Sequence, residues 1–124
     1  MQIVINSFVT TPIYEQIAEQ IERQIVSGVL KSGEVLPSIR VLANELKVSV
    51  ITTKKAYEVL EQRGWVIMAP QRGTLVGPMD IGTMKEKIRE EIKQRFLALE
   101  EFAYGHGFSG EEFRDLIHEE EKKC

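Results

Sequence analysis

Residues 36–63 read LPSIRVLANELKVSVITTKKAYEVLEQR, and this stretch decides the fold. It predicts two short helices separated by a tight turn. Ser38 is the expected N-cap of the first helix, because a serine hydroxyl can accept a hydrogen bond from a backbone N–H that has no partner inside the helix. Apolar residues then follow at helical spacing, at Ile39, Leu42, Ala43 and Leu46.

The turn and the second helix complete the pattern. Lys47, Val48 and Ser49 form the predicted turn, with Val48 buried and Ser49 as the next N-cap. The second helix should bury one stripe, consisting of Thr53, Ala56, Tyr57 and Leu60. The side chains left on its other faces are Ile51, Thr52, Lys54, Lys55 and Glu58. Two short helices with such an exposed Thr/Lys face are typical of a helix-turn-helix motif.

A third helix is predicted upstream. Pro12 suits its first residue, where a missing N–H costs nothing, and Gly28 suits its C-terminal cap. One apolar stripe should pack on the two later helices, and it comprises Tyr14, Ile17, Ala18, Ile21 and Ile25. Residues 1–10 alternate apolar and polar positions, which fits either a short edge strand or an arm.

After Gly64 the periodicity changes from helix to strand. Trp65–Ala69 and Thr74–Val76 predict two short strands, and the turn residues between them predict a hairpin with its tip at Gln71–Arg72–Gly73. A hairpin directly after a recognition-type helix is a wing. The sequence therefore predicts a mainly α fold with a small β-hairpin: a winged helix-turn-helix DNA-binding domain over residues 1–78, with the winged helix itself at 12–78.

Residues 79–124 are predicted to form a helical dimerisation tail. A long helix should run from Asp80 to Ala103 and end before Gly105 and Gly107, and Ser109 with Glu112 predicts a capping box for a second helix. Two amphipathic helices of this length cannot bury their apolar faces alone, so a homodimer interface is predicted. The alternative is a helical hairpin folded back on the winged-helix domain. The residues assigned to dimerisation are Met84, Ile88, Ile92, Phe96, Leu99, Phe113, Leu116 and Ile117.

Charge is divided between these two parts. The chain of 124 residues has a net charge of −3, but residues 31–73 carry a balance of +3 and residues 80–124 a balance of −4. The acidic total therefore does not exclude nucleic acid as a partner of the first part. No apolar run approaches the length of a membrane span, no secretory signal is visible, and the single cysteine, Cys124, excludes an internal disulfide and fits a reducing cytoplasm.

The second helix of a helix-turn-helix places its N-terminal part in the major groove. Ile51 then suits a thymine methyl, Thr52 a base edge or a phosphate, and Lys55 a guanine or a phosphate. Arg40 suits a phosphate or a guanine edge. The whole predicted DNA-binding set is Ser38, Arg40, Ser49, Ile51, Thr52, Lys54, Lys55, Arg72 and Gly73.

Several of these residues also have a purely structural interpretation. Ser38 and Ser49 can serve as caps only, and Lys54 can be a solvated charge. Arg63, at the end of its helix, is assigned to the helix dipole rather than to DNA. No catalytic residues, metal ligands or cofactor are predicted, because His106 and His118 lack the spacing of a metal site.

The string SG-x-L-x-x-G-x-x-LPS-x-R-x-LA at Ser27–Ala43, with PIYEQIAEQI before it and PQRGTLV after it, resembles the GntR family of bacterial winged-helix transcription regulators. The resemblance covers residues 11–77. It implies a dimer that binds a palindromic operator, and it implies DNA contacts at Ser38, Arg40, Ser49, Thr52, Lys55 and Gly73. The short tail resembles the YtrA-type branch, in which two helices dimerise the protein and a neighbouring transporter operon is often repressed.

Two departures from the family pattern affect the predicted contacts. Val50 stands where many relatives have an arginine, and the wing, usually Gly-x-Gly-Thr-Phe, has Gln71 for the first glycine and Leu75 for the phenylalanine. Base preferences of relatives therefore do not transfer, and Lys54 and Lys55 are expected to supply the missing charge.

The leading hypothesis is a sequence-specific repressor that binds double-stranded DNA as a homodimer, with release by a small-molecule effector left open. The alternative is a protein-interaction adaptor whose winged helix no longer reads DNA. The salt dependence of DNA binding separates them.

Overall fold

The computed structural model describes residues 1–78 and 80–123. The predicted first residue of the tail, Met79, and the single cysteine, Cys124, lie outside the described residues. The chain divides into two compact units, residues 1–81 and 82–124. The elements are α1 (Ile13–Val26), α2 (Ile39–Leu46), α3 (Val50–Gln62), β1 (Val66–Ala69), β2 (Gly73–Val76), α4 (Ile81–Gly105) and α5 (Gly110–Glu121). This is the predicted fold class, mainly helical with one hairpin.

Three helices form the core of the first unit, because α1 and α2 both pack on α3. The predicted stripe of α3 is buried at all four positions, and on α1 the burial covers Ile17, Ala18, Ile21 and Ile25 while Tyr14 is half-buried. Pro12 is the N-cap of α1 rather than its first residue, so the helix begins one residue later than predicted. Gly28 follows the C-cap and adopts a φ of +83°, which glycine tolerates without strain.

Both predicted serine caps are present. The Ser38 hydroxyl accepts a hydrogen bond from the Val41 N–H at 3.2 Å, and the Ser49 hydroxyl accepts one from the Thr52 N–H at 3.0 Å. Lys47 ends α2 in the left-handed conformation, with a φ of 57°. Val48 was predicted to be buried and is only half-buried, because it lies in the turn itself, where its N–H donates to Ala43 O at 3.0 Å.

The wing is an antiparallel pair in which Val66 is opposite Val76 and Ala69 is opposite Gly73. Two boundaries differ from the prediction. Trp65 is buried but precedes β1, and Gly73 is the first residue of β2 rather than part of the tip. The loop before α2 extends this small sheet, since Val35 forms an isolated bridge with Leu75.

The N-terminal residues form an arm rather than a strand. Two glutamine side chains of α1 hold its backbone: Gln16 bonds both the N–H and the C=O of Asn6, and Gln20 bonds both groups of Val4, at distances between 2.8 and 3.0 Å. A third glutamine one turn later donates to Gln2 O at 2.7 Å. Side-chain amides therefore satisfy the backbone of alternate arm residues, as a neighbouring strand would.

In the second unit, the N-terminus of α5 carries the predicted capping box between Ser109 and Glu112. The helix α4 includes Gly105, which was predicted to lie beyond its end, and the chain turns at Gly107 with a φ of +90°. Aromatic rings join the two helices, since Phe113 of α5 lies 6.1 Å from Phe96 and 6.2 Å from Tyr104 of α4, centroid to centroid. None of the described helices is both long and apolar enough to cross a membrane.

Candidate nucleic-acid interface

The two cap serines present their helix N-termini with hydroxyls that are already in use. The Ser49 hydroxyl, besides accepting from the Thr52 N–H, lies 2.8 Å from Thr52 Oγ1 and donates to it. Ser49 and Thr52 therefore act together at the start of α3. Because Thr52 Oγ1 accepts the bond from Ser49, the hydroxyl proton of Thr52 is available to an acceptor such as a phosphate oxygen or a base carbonyl.

The first two turns of α3 leave one face open. Ile51 is 80% exposed, although isoleucine is among the residue types most often buried. Thr52 is half-buried, and Lys54 and Lys55 are both exposed. An exposed apolar side chain beside hydroxyl and ammonium groups matches the chemistry of a base-pair edge in the major groove, which offers a thymine methyl and several acceptors.

The two lysines of α3 have different surroundings. Lys54 Nζ lies 3.9 Å from Glu58 Oε1, and both side chains are at least half exposed. Lys55 Nζ lies 4.1 Å from the centroid of the Tyr14 ring, which comes from the first turn of α1. Such a distance over the face of a tyrosine is that of a cation–π interaction. Sequence reasoning assigned Tyr14 to the core stripe only and missed this contact.

Arg40, near the start of α2, and Arg72, in the wing turn, are the two arginines of the predicted set. Both are exposed, and within the described residues neither makes an ion pair. Gly73 follows Arg72 with a φ of +83°, and a Cβ built there would lie 4.0 Å from Val35 Cγ1. The backbone conformation therefore favours glycine at position 73, independently of any approach to DNA.

Arg63 was predicted to complement the dipole of α3, and that interpretation is incomplete. Its guanidinium donates to Glu22 at 2.9 Å and to Glu15 at 3.1 Å, so it ties the end of α3 to α1. Partial burial lowers its pKa, but the hydrogen bonds and charges of Glu22 and Glu15 outweigh this and raise the pKa above the ordinary value. The signal in the sequence was the spacing of the two glutamates, two helical turns apart on one face of α1.

The residues predicted to form a dimer interface differ in exposure. Met84 and Phe113 are buried within the single chain, and Ile88 and Ile117 are half-buried. The exposed ones are Ile92, Phe96, Leu99 and Leu116. Four further large side chains of the tail, which the prediction did not include, are also exposed: Leu97, Phe102, Tyr104 and Phe108.

The histidines take part in local contacts. His106 Nδ1 lies 2.7 Å from Phe102 O, and His118 Nδ1 lies 3.4 Å from Glu121 Oε2. Among the described residues, no three or more histidine, cysteine or acidic side chains are grouped in a way that would hold a metal ion.

Residues 13–76 match the family model described as bacterial regulatory proteins, gntR family. The chain is 37% identical over 89 residues to the HTH-type transcriptional repressor YtrA of Bacillus subtilis, and the match covers 68% of each protein. Two longer curated regulators match at 39% and 33% identity, but this chain spans only 16% and 15% of their lengths.

Solved structures give the same likeness. YtrA from Sulfolobus acidocaldarius, a GntR-family transcription factor, is 38% identical and superposes with a TM-score of 0.60, over 74% of this chain and 97% of that one. The DNA-binding domain of AraR in complex with operator ORE1 is 27% identical, with a TM-score of 0.53, over 62% of this chain and 94% of that one.

Proposed function

The chain belongs to the gntR family of bacterial regulatory proteins, in its short YtrA-type branch, and is a DNA-binding transcription regulator; we propose that it is a repressor that binds a palindromic operator as a homodimer. Two relatives support this proposal. The B. subtilis YtrA is named a transcriptional repressor, and the AraR domain with the same winged-helix fold is bound to its operator.

The observation that carries the proposal is the exposed face at the start of α3. Ile51 is 80% exposed there, Lys54 and Lys55 lie on the same side of the helix, and the Ser49–Thr52 pair faces solvent at its N-terminus. Inserted in the major groove, Ile51 would contact a thymine methyl and Thr52 would donate to an acceptor. This face supplies the contacts that distinguish one sequence from another.

Other residues would fix the orientation of the domain on the duplex. Ser38 presents the N-terminus of α2, which suits a phosphate, and Arg40 follows two residues later, in the first turn of the helix. Arg72 extends from the wing turn, with Gly73 holding that turn in its conformation. These contacts read the backbone and give affinity that depends on salt more than on sequence.

The dimer is supported by the tail. Its exposed apolar side chains follow α4 at helical spacing, for example at Ile92, Phe96 and Leu99. A large apolar patch of this kind marks an interaction site, and most soluble oligomers are two-fold homodimers. A two-fold dimer of winged helices requires a palindrome, with half-sites about 10 base pairs apart, centre to centre.

The test is a fluorescence-anisotropy titration of the full chain. The labelled duplex covers the promoter of the chain's own gene, a scrambled duplex of the same composition is the reference, and the series is repeated at several salt concentrations. We expect two chains per duplex, clearly tighter binding to the promoter sequence, and a log–log salt slope near −0.9 for each phosphate neutralised. Equal, weak binding to both duplexes would contradict the operator proposal.

Substitutions test which of these residues contact DNA. Ile51→Ala and Thr52→Ala should reduce the preference for the promoter duplex, by about 1–3 kcal/mol if each reads a base. Arg40→Ala should weaken binding to both duplexes and make the salt slope shallower by about 0.9 for each protomer, or about 1.8 for the dimer. Lys87→Ala, which removes the same charge from the tail, is the matched control. Operator binding that survived the first three substitutions unchanged would refute the assigned face.

A further inference from the structure

The two adjacent lysines of α3, Lys54 and Lys55, have different partners. Lys54 is 3.9 Å from the carboxylate of Glu58, so part of its positive charge is already compensated. Lys55 lies over a neutral ring, with its Nζ 4.1 Å from the centroid of Tyr14, and no ion pair involves it among the described residues. Of the two, only Lys55 combines a fixed position with a full, uncompensated charge.

We propose that Tyr14 is a positioning residue: its ring holds the Lys55 ammonium in place for a contact with a DNA phosphate. The inference rests on the proposed function, because that is where Lys55 meets DNA. It adds a residue of α1, outside the helix-turn-helix, to the determinants of DNA affinity.

The physical reason is the conformational freedom of lysine. A free lysine side chain has many rotamers and a large rotamer entropy, and a contact that immobilises it must overcome that cost. A side chain already resting on a ring has lost part of this freedom before DNA arrives. The ring stabilises the cation through its quadrupole without cancelling the charge, so the attraction to a phosphate is retained.

The geometry allows both contacts at once. An ammonium has three N–H donors, and the ring lies on one side of it while the side chain as a whole remains exposed. The ring does not compete with a phosphate oxygen for the same donor. A carboxylate partner, such as Glu58 is for Lys54, would have to be displaced or would repel the phosphate.

The position of the ring favours a phosphate over a base. Lys55 lies one turn after Ile51 on the exposed α3 face, but its ammonium rests on a ring from α1 and is therefore drawn towards the side of that face. In a helix inserted in the major groove, edge positions meet the sugar–phosphate backbone and central positions meet base edges.

Tyr14 is itself held firmly. The next residue, Glu15, bonds Arg63 at 3.1 Å, and Glu22 bonds the same guanidinium at 2.9 Å, which fixes α1 against the end of α3. Gln16, buried two residues after the tyrosine, bonds Asn6 and Thr11 of the preceding segment. These bonds fix the part of α1 that carries Tyr14, so its ring starts from a fixed backbone position beside Lys55.

A double-mutant cycle tests the proposal. Wild type, Tyr14→Leu, Lys55→Ala and the double variant are titrated against a scrambled duplex at low salt, because a phosphate contact is independent of sequence. We expect Tyr14→Leu to weaken binding roughly two- to fivefold, the range of an exposed cation–π contact. It should have no effect in the Lys55→Ala background. Tyr14→Phe keeps the ring and should bind like wild type.

NMR spectroscopy gives an independent measurement of the contact between Lys55 and Tyr14. The ε-methylene protons of Lys55 should show an upfield NMR shift from the Tyr14 ring, retained in Tyr14→Phe and lost in Tyr14→Leu. If Tyr14→Leu proves unstable, Tyr14→Met supplies a second measurement in the same cycle, because methionine also removes the ring while keeping an apolar side chain.

Three results would overturn the proposal: equal weakening by Tyr14→Leu in both backgrounds, tighter binding of Tyr14→Leu, or no effect of Lys55→Ala. Each is distinct from failure of the operator proposal. That failure would appear in the wild-type chain as equal affinity for promoter and scrambled duplexes, whereas this cycle uses the scrambled duplex alone.

Discussion

The two units of this chain differ in how much of their apolar side chains they bury. In residues 1–81 the large side chains Ile17, Ile21, Tyr57 and Leu60 have no exposed surface. In residues 82–124 the described large side chains buried within the chain are few, and most of the apolar residues of α4 remain open to solvent. The first unit is a domain with its own core. The second unit has an apolar surface that the single chain leaves exposed.

This difference follows from how each unit is built. Three helices and a hairpin enclose a common centre, so each helix of the first unit can turn its stripe inward. A long helix and a short one cannot enclose a centre, and the ring of Phe113 on α5 packs near Phe96 and Tyr104 of α4 while many apolar side chains of α4 remain exposed. The stability of the first unit should therefore be a property of one chain, and that of the second a property of two.

The largest predicted effect is in the first core. Leu60→Ala removes a side chain with no exposed surface and should lower the free energy of unfolding by about 2–5 kcal/mol, measured by urea denaturation with tryptophan fluorescence. Leu99→Ala, at 53% exposure, should cost under about 1 kcal/mol at dilutions where the chain is monomeric. Equal costs at the two positions would abolish the distinction between the units.

The next effect belongs to the tail. Ile92 is 61% exposed in the single chain, and in a two-fold dimer Ile92→Glu would bury a charge from each protomer. We expect the dimer dissociation constant to rise about 100-fold or more, measured by sedimentation equilibrium, with little change in the unfolding of the first unit.

Gln94→Glu is the control for that substitution. It introduces the same carboxylate two residues further along α4, on another side of the helix, and should leave the dimer intact. A dimer that tolerated Ile92→Glu as well as Gln94→Glu would show that this side of α4 is not the interface.

The sequence was sufficient to predict the first unit because its signals are local. Serine caps at Ser38 and Ser49, a helical stripe on α3 and a turn before the second strand each act within a few residues. Their consequences for the fold were confirmed. The placement of the candidate DNA-binding residues on an exposed face followed from the same periodicity, since residues outside a buried stripe must face outward.

What the sequence did not reveal depends on contacts between distant segments. Arg63 meets Glu22 and Glu15 across 41 and 48 residues, and Lys55 meets Tyr14 across two helices. The sequence did not distinguish an arm from a strand at residues 1–10. The backbone partners of the arm are glutamine side chains of α1, and no sequence pattern indicates that a glutamine will bond a backbone in this way. Periodicity reports which face is buried, but it does not report which polar groups meet.

A smaller effect separates a buried tyrosine from an exposed one. The Tyr57 hydroxyl donates to Pro37 O at 2.7 Å, and burial, with a contribution from the charge of Glu45, raises the pKa of Tyr57. Above pH 10.0, the ordinary value, the unfolded chain loses this proton while the folded chain keeps it. The folded state binds more protons, so stability falls as the pH rises further, by up to about 1.4 kcal/mol per pH unit.

Tyr57→Phe isolates this contribution. At neutral pH it should cost about 1–3 kcal/mol, because the Pro37 carbonyl loses its partner, and above pH 10.0 its stability should fall less steeply than that of wild type. Tyr104→Phe, in the tail, removes a hydroxyl that donates to Glu100 Oε2 at 3.2 Å and should leave the slope of the first unit unchanged. Parallel curves for wild type and Tyr57→Phe would contradict the buried assignment.

The smallest effect concerns the backbone of the wing turn. Gln71 has a φ of 73° at the wing tip, and Gly73 has a φ of +83° two residues later. A residue with a Cβ is destabilised by about 1–2 kcal/mol when its φ lies in this region. Glycine avoids that strain, but its greater conformational entropy in the unfolded chain offsets part of the gain. Gln71→Gly should therefore stabilise the first unit by about 0.5–1 kcal/mol, and Gly73→Ala should destabilise it by a similar amount.

The pair of substitutions distinguishes backbone strain from side-chain packing. A Cβ at position 73 would have its nearest neighbour at 4.0 Å, an ordinary van der Waals distance, so the cost of Gly73→Ala comes from φ alone. Thermal denaturation of both variants, followed by far-ultraviolet circular dichroism, gives the two signs. If Gln71→Gly lowered the melting temperature, the glutamine side chain would have to stabilise the wing through contacts that outweigh its backbone strain, and the core of the first unit would extend to the hairpin tip.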